Sequence, residues 1–160
     1  MCICSNSWLH LLLDKPRIIS NIAAISRLTT GLNISLHICG PLIFEKNDKT
    51  KWRANLDYIK NSCIHFHQNV SRCLHVLEKD PWIIETGSLK TIWDPSIKFG
   101  DVILFGPENG TISEDILKQY VNRKLSLPQP GLIRSLNLSQ CTAVTVFEII
   151  RKIYKINACK

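Results

Sequence analysis

Short apolar runs alternate along this chain with segments whose apolar residues recur at helical spacing, and this alternation constrains the fold more than any other feature. The first run is Leu9–Leu13, and the segment after it repeats apolar residues at Ile22, Ile25 and Leu28 before Gly31 ends the pattern. Strands that alternate with helices are typical of a mostly parallel sheet flanked by helices. We therefore predict an α/β fold in a single domain over residues 1–160, with residues 1–8 as an N-terminal extension.

The same patterns predict where the other elements begin and end. Predicted strands cover Ile34–Cys39, Cys63–Phe66, Trp82–Ile84, Val102–Phe105 and Leu125–Leu127. Predicted helices cover Asn21–Thr30, Asp48–Leu56, Val70–Leu77, a short segment after Ser113, and Ser139–Tyr154. Asn21 and Ser113 are expected to cap their helices, since short polar side chains accept hydrogen bonds from first-turn N–H groups.

An excess of basic residues favours a polyanionic partner. Lys and Arg number 20 against 13 for Asp and Glu, which gives a formal charge of +7. A solvated basic face is the commoner cause of such an excess, so charge alone leaves both interpretations open. No segment approaches the roughly 18 uninterrupted apolar residues of a membrane span, and the N-terminal run lacks the basic residues of a secretion signal. We therefore expect no membrane partner.

The cysteines and histidines bear on location and on metal binding. Seven cysteines form an odd set without the spacing of a disulfide framework, which favours a reducing, cytoplasmic location. One segment holds Cys63, His65, His67, Cys73 and His75. Zinc sites in proteins usually contain Cys-x-x-Cys or His-x-x-x-His pairs, and this segment has neither. We therefore predict no metal, with ordinary half-buried histidines and thiols instead.

Two loops that directly follow predicted strands remain as candidates for a functional site. The first is Phe-Gly-Pro-Glu-Asn-Gly at residues 105–110, and the second runs from Leu127 to Ser139 with Pro128, Pro130 and Gly131. Loops at the carboxyl ends of parallel strands are where α/β sheets bind ligands. A ligand site and an ordinary pair of loops are both open on these grounds. The chain lacks the glycine-rich phosphate motifs and the Gly-x-Ser-x-Gly turn of hydrolases.

These segments resemble the SpoU branch of the SPOUT methyltransferases. The second and third motifs of that family are similar to Phe-Gly-Pro-Glu at residues 105–108 and Arg-Ser-Leu-Asn-Leu-Ser at residues 134–139. Its first motif, a proline, an asparagine and then an arginine six residues later, is matched by Pro16, Asn21 and Arg27. The stretch from Leu36 to Tyr58 is also similar to a subgroup, the small tRNA cytidine/uridine-34 2′-O-methyltransferases. The resemblance covers almost the whole chain.

The resemblance implies a mostly parallel α/β sheet flanked by helices, with a C-terminal segment that forms a deep trefoil knot. It implies S-adenosylmethionine as cofactor and tRNA as substrate. The positions implied as adenine-binding are Ile83, Thr86, Gly106, Leu127, Ser135 and Leu136. It also implies a homodimer through the first and last helices, which would bury Ala143, Phe147 and Ile150. A monomer in which this stripe packs on its own sheet is the competing interpretation.

Arg27 lies at the catalytic position of the family. Because a guanidinium is effectively always protonated, we expect Arg27 to position the ribose-phosphate rather than to accept its proton. The resemblance implies that this catalytic site is ordered by Asn21, Glu108, Asn137 and Ser139. Asn21 could equally be a plain helix cap. RNA contacts are expected from Arg134, which could also order the site, and from Arg151 and Lys152.

Three departures from the family pattern bear on function. Ile22–Ala24 replaces a polar-Gly-Asn run, Asn109–Thr111 replaces a Ser/Thr-basic-Gly run, and Phe147 stands where a tyrosine is common. The predicted function is methylation of the wobble nucleotide, number 34 of tRNA. The alternatives are methylation of another tRNA site or of ribosomal RNA, and a catalytically weakened RNA-binding protein.

Overall fold

The computed structural model describes residues 7–41 and 62–158, with side chains described through Ile153. The helix predicted over Asp48–Leu56 lies outside these ranges. Within them, helices cover both faces of one six-stranded sheet.

All strand pairs of the sheet are parallel, which confirms the predicted fold class. The strands are β1 (Leu9–Asp14), β2 (Ser35–Cys39), β3 (Ile64–His67), β4 (Pro81–Ile84), β5 (Asp101–Phe105) and β6 (Lys124–Leu125). Their order across the sheet is β3-β2-β1-β5-β4-β6. The carboxyl ends of the strands therefore lie at one edge, where the connecting loops can meet.

The helices of the described ranges are α1 (Ile19–Gly31), α2 (Val70–Leu77), α3 (Glu114–Gln119) and α4 (Leu138–Ala158), with a 3-10 turn at Val121–Arg123. Helix α2 has the predicted bounds, and the side chain of Asn69 caps it by accepting from the N–H of Arg72 at 2.8 Å. Helix α1 begins before its predicted start, so Ile18 is the N-cap residue and Asn21 lies in the first turn. Ser113 is the N-cap residue of α3, but its side chain makes no capping hydrogen bond.

Both faces of the central strands β1 and β5 are buried, which explains why these strands read as apolar runs. On one face, Leu11 and Leu13 of β1 belong to a core with Ile22 of α1 and Val146 of α4. On the other face, Leu12 belongs to a second core that α2 and α3 cover. Alternate residues of β1 thus serve opposite cores, because side chains alternate along a strand. None of the described helices has the length and apolar character needed to cross a membrane.

The described cysteines occur in two chemical states. Cys39, Cys73 and Cys141 are free thiols, whereas Cys63 is disulfide-bonded. Burial raises the pKa of the Cys141 thiol to about 11, so this thiol is protonated at neutral pH. The bridge at Cys63 differs from the reduced state that the cysteine pattern favours.

Candidate active site

The carboxyl ends of β4, β5 and β6 open into a cavity of about 690 Å³. Because these strands are neighbours in the sheet, the two candidate loops that follow them meet here. The apolar wall is formed by Ile84, Phe105, Leu127, Leu136 and Leu138. The charged side chains of the lining are Glu85, Glu108 and Arg134. The lining therefore combines an apolar wall with a comparable share of polar groups.

Most of the positions implied as adenine-binding line this cavity, namely Thr86, Gly106, Leu127, Ser135 and Leu136. The side chain of Ile83 does not, because it is fully buried in the core beneath α2 and α3. Ile84 lines the cavity in its place. Adjacent residues of a strand place their side chains on opposite sides of the sheet. A shift of one residue therefore moves a side chain from the core to the cavity. The side chain that faces the cavity is therefore that of Ile84, and the role of Ile83 in adenine binding stays a prediction.

Two features of the cavity suit a ligand held partly by backbone groups. A β-carbon at Gly106 would lie 3.2 Å from Cγ1 of Ile112, so a side chain at this position would crowd the wall. Oε1 of Gln129 is buried and has no hydrogen-bond partner among the described residues, although Gln129 lines the cavity. A buried acceptor is costly unless a ligand or water supplies a donor. No motif pointed to Gln129, whose one signal is its place between Pro128 and Pro130.

Glu108, in the loop after β5, joins that loop to the start of α1. Its carboxylate accepts hydrogen bonds from the backbone N–H groups of Arg17 and Ile18, at 2.8 and 3.1 Å, and from Nδ2 of Asn21 at 2.9 Å. Burial by itself would raise the pKa of Glu108, but the hydrogen bonds together outweigh burial and hold the pKa below its ordinary value. Glu108 is therefore a carboxylate at neutral pH, at the positive end of the α1 dipole.

Asn21 continues this network to the start of α4. The Asn21 side chain is buried, and its Oδ1 accepts a hydrogen bond from Nδ2 of Asn137 at 2.9 Å. Oδ1 of Asn137 in turn accepts from the backbone N–H of Ser139 at 2.9 Å and from its hydroxyl at 2.7 Å. The interpretation of Asn21 as a plain helix cap is wrong, because Asn21 is not the N-cap residue and its side chain binds Glu108 and Asn137. The three motifs thus meet through hydrogen bonds at one end of the cavity.

Arg27 lies outside this network. Six residues of α-helix turn by about 600°, which leaves Arg27 about 120° around α1 from Asn21. The exposed side chain of Arg27 borders a groove of about 510 Å³ between α1 and α4, which Ala24, Ser139 and Phe147 also line. Ser139 therefore links the groove to the network, while Arg27 and the cavity occupy separate positions.

The three residues implied in RNA binding differ in whether their charged groups already make hydrogen bonds within the chain. Arg134 is exposed and borders the cavity. Arg151 donates from two guanidinium nitrogens to the carboxylate of Glu148, each at 2.7 Å. Nζ of Lys152 donates to the carbonyl oxygens of Ile92, Trp93 and Pro95, at 2.9, 2.7 and 2.9 Å. An ammonium group has three donors, so these carbonyl oxygens engage all the donors of Lys152, and its role in RNA binding stays a prediction.

Comparison with known proteins matches residues 8–147 to a family described as the SpoU rRNA Methylase family. Two curated relatives are similar over most of their length. The tRNA (cytidine(34)-2′-O)-methyltransferase of Methylovorus glucosotrophus is 32% identical, and the match covers 89% of this chain and 94% of the relative. The protein of the same name from Saccharophagus degradans is 31% identical, with 90% of this chain and 95% of the relative covered.

Solved structures share the fold as well. One from work on the 2-OH methylation of C/U34 on tRNA has a TM-score of 0.81 at 29% identity and covers 92% of this chain and 97% of its own. The SpoU methyltransferase AviRb of Streptomyces viridochromogenes, in complex with AdoMet, has a TM-score of 0.77 at 17% identity. It covers 94% of this chain, and the match takes in 62% of AviRb. At that identity, the similarity to AviRb shows the shared fold alone.

Proposed function

Because this chain belongs to the SpoU rRNA methylase family, we propose that it transfers a methyl group from S-adenosylmethionine to the ribose 2′-hydroxyl of nucleotide 34 in tRNA. The observation that carries the proposal is the convergence of Asn21, Glu108 and Asn137 at one end of the cavity. The curated relatives named for cytidine 34 match most of the chain, which supports the choice of substrate. We also propose that the chain contains the trefoil knot of this family and that it is located in the cytoplasm.

The cavity fits S-adenosylmethionine, which supplies an activated methyl group when bound. Its volume of about 690 Å³ lies within the range of small-molecule sites, about 300–1,000 Å³. The apolar wall at Ile84, Leu127 and Leu136 suits a neutral aromatic ring such as adenine. The unpartnered Oε1 of Gln129 suits an amino group, and Gly106 leaves backbone groups accessible to the ligand.

Methyl transfer to a ribose hydroxyl requires alignment of its oxygen and removal of a weakly acidic proton. Arg27 supplies a planar, permanently charged guanidinium that binds the ribose-phosphate and aligns the 2′-hydroxyl. Glu108 is a poor acceptor for this proton, because three donors engage its carboxylate and lower its basicity, so the proton leaves to water or to a phosphate oxygen of the substrate. The role of Glu108 and Asn21 is to hold the start of α1, and hence Arg27, in place.

We expect the purified chain to methylate an anticodon stem-loop at nucleotide 34. The chain has a formal charge of +7, and the guanidinium groups of Arg27 and Arg134 are exposed, so phosphate contacts should make RNA binding fall steeply with salt. Mass-spectrometric mapping of 2′-O-methyl groups measures the reaction. The control substrate is the same stem-loop with 2′-deoxyribose at position 34, which lacks the acceptor oxygen. Methylation of ribosomal RNA alone, or salt-insensitive binding, would refute the proposed substrate.

We propose that the groove between α1 and α4 is covered by a second copy of the chain. Helix α4 has two apolar faces: Val146 is fully buried in the chain's own core, whereas Phe147 and Val144 are 56% and 52% exposed. The competing interpretation, in which the predicted stripe packs on its own sheet, fits Ile150, which lies partly against the core. An exposed apolar face beside an open groove suits a two-fold interface, in which the same patch contacts itself.

Replacing Phe147 with glutamate is expected to convert the dimer to a monomer, because two charged side chains would then be buried in one apolar interface. Light scattering should give twice 18.2 kDa for the native chain and 18.2 kDa for the variant. Val121→Glu is the matched control, since Val121 is also 56% exposed but lies in the 3-10 turn. A native chain that stays monomeric at micromolar concentration would contradict the proposed assembly.

A further inference from the structure

Away from the cavity, the sheet face beneath α2 carries a cluster of histidines and cysteines. We define the histidine–cysteine cluster as His10 of β1, His37 and Cys39 of β2, His67 of β3 and Cys73 of α2. Asp14, Ser35 and His65 lie on the same face, and Leu12, Val70 and Leu74 form one core with the two cysteines. Imidazole groups in such a core are costly unless they bind one another or a ligand.

Three of these side chains already have the spacing of metal ligands. The ligand atoms of His37, His67 and Cys73 all lie within 4.8 Å of one another, and Nδ1 of His37 is 3.0 Å from Nε2 of His67. In a tetrahedral zinc site, bonds of about 2.0–2.1 Å to nitrogen and about 2.3 Å to sulfur put the ligand atoms about 3.3–3.8 Å apart. Small side-chain adjustments would therefore accommodate an ion.

The surroundings of His37 favour a role as a ligand. Its Nε2 lies 3.1 Å from Nδ1 of His10, so Nε2–H can donate there and leave the lone pair of Nδ1 directed at His67. Such a hydrogen bond from the second ring nitrogen is what orients histidine ligands in metal sites. The ring of His65 stacks on that of His37, with 4.9 Å between their centroids. His37 is thus held in one orientation by two neighbours.

We infer that Cys39 supplies the fourth ligand, although its sulfur lies outside the group of three whose ligand atoms are all within 4.8 Å of one another. It follows His37 by two positions on β2 and therefore faces the same side of the sheet. The side chains of Cys39 and Cys73 are both fully buried and belong to the same core. Two imidazole nitrogens and two sulfurs form a donor set that zinc prefers, whereas magnesium and calcium prefer oxygen.

From this geometry we propose a zinc site whose ligands are His37, Cys39, His67 and Cys73. The ion joins β2, the edge strand β3 and helix α2, and so fastens one edge of the sheet. The cavity lies at β5, β4 and β6, on the other half of the sheet, so this zinc is structural and takes no part in methyl transfer. The spacing of residues 63–75 alone predicts no metal. Two of the proposed ligands, His37 and Cys39, lie outside that segment on β2, which pairs with β3.

Metal analysis of the untagged full chain tests the proposal. We expect about one zinc ion per chain after dialysis against metal-free buffer, and a lower unfolding temperature once a strong chelator removes it. Replacement by Co²⁺ is expected to give the visible absorption of a tetrahedral cobalt–thiolate centre. A native chain that takes up neither ion, or that contains a disulfide between Cys39 and Cys73, would overturn the proposal.

Two substitutions with a matched control locate the ion. Cys73→Ser and His67→Gln each remove one ligand at similar side-chain volume, and each is expected to weaken zinc affinity at least about a hundredfold. His75→Ala is the control, because His75 also lies on α2 but is exposed and outside the cluster. Circular dichroism checks that each variant folds, and the cobalt spectrum of the native chain decides the question if one does not. Native zinc affinity in either folded ligand variant would place the ion elsewhere and refute the site.

Discussion

Arg27→Ala is expected to abolish methyl transfer while leaving the affinity for S-adenosylmethionine nearly unchanged. Arg27 borders the groove between α1 and α4 and is not among the residues that line the cavity, so its loss removes substrate alignment without altering the cofactor's wall. Losing a positioned charged contact in the transition state costs about 3 kcal/mol or more, a decrease in rate of roughly a hundredfold. Single-turnover methylation measures the rate, and calorimetry measures cofactor binding.

Further variants separate this role of Arg27 from less specific effects. Arg27→Lys should recover little activity, since an ammonium cannot reproduce the planar, two-pronged contact of a guanidinium. Gly106→Val should show the opposite pattern, with cofactor affinity lost because the added side chain meets Ile112 in the cavity wall. Arg72→Ala removes an exposed arginine from α2 and should change neither property. If Arg27→Ala methylates tRNA at the native rate, or alters only dimer stability, the catalytic assignment of Arg27 is wrong.

The second large effect is expected from Glu108→Ala, which should lower both stability and turnover. The substitution leaves three donors without their acceptor, namely the backbone N–H groups of Arg17 and Ile18 and the side-chain amide of Asn21. Water can reach part of this site, so we expect a loss of about 1–3 kcal/mol in the free energy of unfolding, measured by denaturant titration. Methylation should fall by about tenfold or more, because α1 no longer holds Arg27 in alignment.

Lowering the pH should remove the stabilisation that the Glu108 carboxylate gives to the native chain. Although burial opposes it, the hydrogen bonds hold the folded-state pKa of Glu108 below its unfolded value. The resulting stabilisation is fully present above the unfolded pKa and is lost as pH falls through the folded one. The difference in unfolding free energy between the native chain and Glu108→Gln should therefore shrink in acid. Glu114→Gln is the control, because Glu114 is the exposed partner of Lys118, and it should change the unfolding free energy by a small, salt-sensitive amount. A difference between the native chain and Glu108→Gln that does not depend on pH would contradict this explanation.

The order of strands and helices could be predicted from the sequence because its signals are local. A side-chain period of two along a strand and of about 3.6 along a helix follows from backbone geometry, so each buried element carries the pattern of its own type. Helix α2 has the bounds that its periodicity predicts, Val70–Leu77. Strands β2, β4 and β5 begin within one residue of their predicted starts. The motif intervals likewise pointed to Asn21 and Glu108, which the structure joins.

Only the tertiary structure decided which side chains meet. Asn137 donates to Asn21 across 116 residues of sequence, and the ammonium of Lys152 is engaged by a carbonyl group 60 residues earlier. Strand register, rather than composition, decides that Ile84 faces the cavity. The histidine–cysteine cluster likewise unites three strands and a helix. Periodicity in the sequence therefore determined the helices and strands of this protein. Its site depends on which distant segments the fold brings together, because hydrogen bonds and metal coordination act only over a few ångströms.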